Sequence, residues 1–252
     1  MLQLANLSNY QTDVKLIENS ADCLQEFLSK HHLDGLEMMF CNPWDRRVHN
    51  HQWVQGVHLR FWPYWLDFWR GDQQELLRQF GSDEKIEACY GGLTREAWLA
   101  AYRENIRIAK QTGAKYIVFH VSHTRPAEFF NWQFSASDSE VIAATIEVVN
   151  ELVDEIPSDM ELLFENLWWP GLTLQDKELT ALLLDNVNHP NVGIMLDTGH
   201  LMNTNPNLKT EIEGIDYILK TISQLGSYSR YIRGIHLHRS LSGEYVACSK
   251  AG

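Results

Sequence analysis

The chain has 252 residues, 44% of them apolar, enough for one large α/β domain or two small ones. Its 33 acidic residues outnumber 21 basic ones, giving a formal charge of −12, and the longest basic run is Arg46-Arg47; both disfavour a polyanionic partner such as nucleic acid. The N-terminus carries no basic n-region, no apolar stretch reaches membrane-span length, and the four cysteines form no CxxC pair, so a cytoplasmic, soluble protein with reduced thiols is expected.

In chain order, "LQLANLS" (2–8) reads as a first strand, and 13–32 carries helical spacing at Leu16, Ala21, Leu24 and Phe27. "DGLEMMFC" (34–41) and "VQGVHLRF" (54–61) are strands two and three. The segment 62–92 is rich in aromatics, and the spacing of Trp62, Trp65 and Trp69 allows a helix packed on the body or an aromatic wall over a site. A helix over 94–113 ends in glycine, and "AKYIVFHVS" (114–122) is strand four. Ser137 and Glu140 form a capping box for a helix reaching about Ile156. "MELLFEN" (160–166) is strand five, a helix covers 177–187, and the run beginning "VGIMLD" at Val192 is strand six. A helix over 208–226 and strand seven, "YIRGIHLHR" (231–239), complete the pattern. Alternating strands and helices predict parallel pairing with the helices outside. Seven such units suit a TIM-type barrel of one domain over 1–252, and no G-x-G-x-x-G supports a dinucleotide fold.

Chemistry-bearing residues recur at the strand ends: Glu37, His58, His120, Glu165, Asp197 with His200 just beyond, then His236 and His238. In a parallel barrel these ends share one face, so the groups converge on one pocket. Period-two alternation places Glu165 inward with Leu163, and His236 inward with His238. Crowded carboxylates repel, and a divalent cation (Zn, Mn, Co or Mg) removes that conflict. Glu165, Asp197 and His236 are therefore the candidate ligands, with Glu165 also the candidate base, and His120 and His58 either join them as metal ligands, contact substrate or hold a neighbour in place. His200, Glu37, Trp168 and His238 are expected to face substrate, and His123 to support a neighbour. Each has a plainer reading: Asp197 as an N-cap, Glu165 paired with an arginine, Glu37 in a structural pair, a histidine bonded to backbone. His31, His32, His49, His51 and His189 sit in polar contexts and are expected to be solvated.

Taken in order, "DGLEMM", "GVHLRF", "VFHVSH", "LLFENLWWPG", "IMLDTGHL" and "GIHLHRS" resemble the xylose isomerase-like TIM barrels, which include sugar isomerases and epimerases and the endonuclease IV type of apurinic endonuclease. The resemblance implies that Glu165, Asp197 and His236 bind one catalytic divalent metal, joined in that family by a glutamate on strand eight, and that His200 contacts substrate. In the endonuclease branch it implies that His58, His120 and His200 help hold further zinc ions. After strand seven only "SLSGEYVACSKAG" remains, too short to supply strand eight. The expectation is an incomplete barrel with a gap between strands one and seven, covered by residues 240–252, by a partner chain such as a second copy in a homo-oligomer, or by further segments. The expected activity is metal-dependent isomerisation or epimerisation of a small sugar-like substrate through an enediolate. The alternatives are an endonuclease-type zinc phosphodiesterase acting on abasic DNA and a non-catalytic binding protein.

Overall fold

The computed structural model describes residues 1–238 and 241–249. Seven short apolar runs become strands: β1 (Leu4–Ser8), β2 (Gly35–Met39), β3 (Val54–His58), β4 (Tyr116–His120), β5 (Glu161–Glu165), β6 (Val192–Asp197) and β7 (Ile232–His236). All pair in parallel and in chain order, so every strand's C-terminal end opens on the same mouth. Among the described residues β1 and β7 do not pair with each other, which leaves the predicted gap.

The first half of the chain carries helices α1 (Gln11–Leu16), α2 (Ala21–Lys30), α3 (Leu66–Arg70), α4 (Gln73–Phe80), α5 (Asp83–Tyr90) and α6 (Arg95–Thr112). The second half carries α7 (Glu128–Asn131), α8 (Asp138–Asn150), α9 (Lys177–Asn186), α10 (Thr198–Asn203), α11 (Glu211–Gln224) and α12 (Gly243–Ser249). The single helix expected over 13–32 is two. Glu18 and Asn19 turn left-handed (φ 53° and 49°), and Ser20 then caps α2 by accepting from Cys23 N–H. The capping box of Ser137 and Glu140 forms at α8, and Thr210 with Glu213 makes a second at α11. The aromatic segment lies against the body: Trp62, Trp65, Phe68 and Trp69 are buried around Trp98 of α6, and α3 to α5 carry that stretch.

Alternation along the strands separates two apolar layers. Ile117, Phe119, Leu162, Phe164, Ile194 and Leu196 face the helices, whereas Val118, Leu163 and Met195 form a small inner cluster that floors the mouth. The part of the tail described, α12, packs against α7 and α10 at the mouth, with Val246 buried. On the outer face of β7, Ile235 and Leu237 are 54% and 78% exposed.

Candidate metal centre

Register brings the polar ends together above that inner cluster. His120 on β4 pairs with Glu165 on β5, and Asp197 on β6 pairs with His236 on β7. Glu165, 2% exposed, stands at the centre with an imidazole on every side. Its Oε2 lies 2.8 Å from His58 Nε2 and 3.3 Å from His120 Nε2; its Oε1 lies 3.3 Å from His200 Nδ1 and 3.2 Å from His236 Nδ1. The ligand atoms of His58, His120 and Glu165 fall within 4.8 Å of one another, as do those of Glu165, Asp197 and His236. Those of Glu37, His58 and His236 do so as well, so His58, Glu165 and His236 each belong to two of the three sets.

Asp197 is the N-cap of α10 and also reaches the cluster. Its Oδ1 accepts from His200 N–H at 2.6 Å and caps α10, while its Oδ2 lies 3.2 Å from His238 Nε2, 3.7 Å from His200 Nδ1 and 3.9 Å from His236 Nδ1. Asn166, fully buried, holds this corner: its side chain donates to Asp197 C=O and accepts from Asp197 N–H, continuing the β5–β6 ladder past the strand. Sequence reasoning registered the Glu-Asn pair only as a motif and missed this role. It also missed Phe61, whose ring stacks on His120 with centroids 4.4 Å apart.

The hydrogen-bond partners fix which ring nitrogens carry protons, because a carbonyl or carboxylate oxygen only accepts. His58 Nδ1 donates to Leu59 C=O, so a neutral ring presents a bare Nε2 to Glu165. His236 Nε2 donates to Glu37, so a neutral ring presents a bare Nδ1 to Glu165. Two lone pairs facing a carboxylate repel unless a proton or a cation lies between them. That requirement holds on both sides of Glu165.

Burial alone raises the Glu165 carboxyl, but its close contacts with His200, His236 and His58 outweigh it and hold the group far below the usual range. Burial lowers His236, yet hydrogen bonds to Glu165 and Glu37 push it up to about 10. His120 is held well below its ordinary value by burial and then by His58, so it stays a neutral donor. The donors present, imidazoles with carboxylates, fit a divalent metal ion.

The remaining expected residues fall as follows. Glu37, 3% exposed, joins the cluster but points at three donors. His238, with its side chain 54% exposed, stands at the outer rim, and the Trp168 ring lies 5.2 Å from His200. His123 belongs elsewhere: it is buried under α3, where its Nδ1 accepts from Leu66 N–H. His49 and His189, expected in solvent, are buried; the latter bridges Pro157 C=O and Asn191 N–H.

The family model described as xylose isomerase-like TIM barrel matches residues 71–245. No curated protein matches the chain. Among solved structures, a D-tagatose 3-epimerase-like protein aligns at TM-score 0.54 and 16% identity, over 94% of this chain and 76% of that one. Endonuclease IV from Thermus thermophilus aligns at TM-score 0.50 and 14% identity, over 94% and 76%. The IolI protein with a binding zinc atom aligns at TM-score 0.53 and 15% identity, over 100% and 95%. Identities this low make the likeness one of fold.

Proposed function

Because the chain belongs to the xylose isomerase-like TIM barrel family, we propose that it is a divalent-metal enzyme that hydrolyses a phosphate ester, with Glu165 central among the residues that would hold the metal. The observation that carries this reading is the engagement of both Glu165 oxygens, Oε2 by His58 and His120, Oε1 by His200 and His236. Enediolate chemistry asks a carboxylate to take a proton from carbon, and the site's carboxylates are otherwise occupied. Glu165 is surrounded by imidazoles, Asp197 caps α10 and meets His238, and Glu37 accepts from three donors. On this reading the isomerase that sequence alone puts first comes second, and Glu165 would serve as a ligand in place of the base.

Bound divalent ions supply Lewis acidity and lower the pKa of water. His58 and His120 would hold one ion, and Asp197 with His236 the other, with Glu165 shared. The near-complete burial of Glu165 and His58 admits a small substrate or the end of a larger one, and the charge of −12 favours the small one. IolI, described with a binding zinc atom, and endonuclease IV share this fold and support the metal and the hydrolytic reading.

A second reading, an isomerase or epimerase of a polyhydroxy carbonyl compound, is favoured by the Trp168 ring beside His200, where a sugar's C–H face would stack. The D-tagatose 3-epimerase-like fold neighbour supports it. Elemental analysis after zinc or manganese loading, with hydrolysis of bis(4-nitrophenyl) phosphate, separates the two. The expected result is about two ions per chain and turnover that disappears in His58→Ala. One ion per chain, with solvent deuterium entering a ketose at carbon, would overturn the hydrolase. A protein that takes up no ion removes both readings and leaves a binding protein.

A further inference from the structure

We propose that Glu37 is a positioning residue: it fixes which nitrogen of His236 faces the ion site, and it ties β7 to β2 across the open side of the barrel. The proposal rests on the reading of the site as a divalent-ion centre.

An imidazole offers two similar nitrogens, and nothing covalent decides which one is bare. Here the decision is made from the far side of the barrel. Glu37 Oε1 accepts from His236 Nε2 at 2.9 Å and from Asn6 Nδ2 at 3.0 Å, while Oε2 accepts from the Tyr116 hydroxyl at 2.8 Å. With His236 Nε2–H committed to Glu37, only Nδ1 remains to meet Glu165 Oε1 and Asp197 Oδ2. Asn6 and Tyr116 in turn hold both Glu37 oxygens, so the carboxylate cannot swing away.

The surrounding backbone is shaped for this contact. Tyr116 reaches Glu37 across β3 because residue 56, its register partner, is glycine. A Cβ there would come within 2.1 Å of the Tyr116 ring. Since β1 and β7 do not pair, the Glu37–His236 bond, between residues 199 apart in sequence, joins the two sides of the opening through side chains. Glu37 is 3% exposed and surrounded by donors, which leaves it poorly placed to contact substrate, the other role sequence reasoning offered. A carboxylate behind a metal-binding histidine orients the ring and raises its basicity, and its removal typically weakens metal binding about 10–100-fold.

The test uses the full chain and zinc alone as the probe. Competition calorimetry gives affinity and stoichiometry, and long-range proton–nitrogen NMR of the histidine rings reports the protonated nitrogen of His236. In the wild type His236 should show Nε2–H with Nδ1 bound to zinc. Glu37→Ala should bind zinc about 10–100-fold more weakly, with the His236 ring signal lost or moved. Glu37→Asp, whose shorter carboxylate cannot reach Nε2, should behave likewise and carries the comparison should the alanine variant not fold. Glu37→Gln keeps an acceptor oxygen and should recover most of the affinity. Wild-type affinity and an unchanged His236 signal in the aspartate variant overturn the positioning role while leaving the metal centre standing. Loss of a whole ion would make Glu37 a ligand and overturns it too. A wild type that takes up no zinc removes the metal centre itself, and this proposal with it.

Discussion

The two flanks of the barrel use the same strand–helix unit but bury their side chains very differently. On the flank of β3 to β5, outward side chains such as Ile117, Phe119, Leu162 and Phe164 are 0–4% exposed beneath helices, and Trp98 is sealed among Trp62, Trp65, Phe68, Trp69, Tyr90 and Tyr102. On the flank of β7, the corresponding outward positions Ile235 and Leu237 stand in solvent. The site straddles this seam. His58 and His120 have side chains 4% and 11% exposed, against 18%, 24% and 54% for His236, His200 and His238. One half of the site is held by packing, the other by hydrogen bonds with Glu37, Asn166 and Thr198. Packing resists loss of a single contact, whereas a hydrogen-bonded arrangement depends on each donor and acceptor.

The largest effect should come from the packed flank. Trp98→Ala empties a fully buried indole site and should destabilise the fold by about 3–5 kcal/mol, read as a lower urea midpoint. A change below about 1 kcal/mol would mean the aromatic cluster does not carry that flank. Glu165→Ala acts on both halves at once. It should weaken uptake of each ion by about 10²-fold or more, since even outer partners of a ligand contribute 10–100-fold. Elemental analysis that still finds one ion bound tightly would show that the halves are independent and that Glu165 does not bridge.

A third measurement sharpens the contrast through pH. His236 is raised to about 10 by Glu165 and Glu37 against the lowering by burial, so it holds a proton in the fold that it would release above about 6.5 when unfolded. Its contribution is fully present below about pH 6.5 and is lost as pH rises through about 10. With metal removed by a chelator, the unfolding temperature should therefore decline between pH 8 and 10, by about 2–4 °C for each kcal/mol lost, and His236→Asn should flatten the decline. Zinc affinity should run the other way and rise with pH, because the ion must displace that proton. Parallel curves with and without zinc would sink this assignment.

The smallest effect is expected on the open flank. Leu237→Ser should change stability by no more than about 0.5 kcal/mol, because its side chain is already in water. A larger loss would show that another surface, such as a second copy of the chain, covers the outer face of β7 in solution.

Local pattern carried much of this molecule. Seven apolar runs of five or six residues, separated by caps and amphipathic stretches, dictated the strands and their parallel order, because parallel neighbours need a crossover between them. Alternation by two placed Glu165 and His236 on the inner face and Leu162 and Phe164 on the outer one, since successive Cβ atoms point to opposite sides of a strand. Local pattern did not carry the break at Glu18 and Asn19, where left-handed backbone overrides helical spacing. Nor did it carry the burial of His49 and His189. It was also silent on which nitrogen His236 offers. Those outcomes belong to contacts between residues far apart in the chain: His58 with Glu165 across 107 positions, Tyr116 with Glu37 across 79, His236 with Glu37 across 199. A sequence records the reach and charge of each side chain, but a proton's position on an imidazole follows from its neighbours in space, and only the folded path of the chain brings those neighbours within 3 Å.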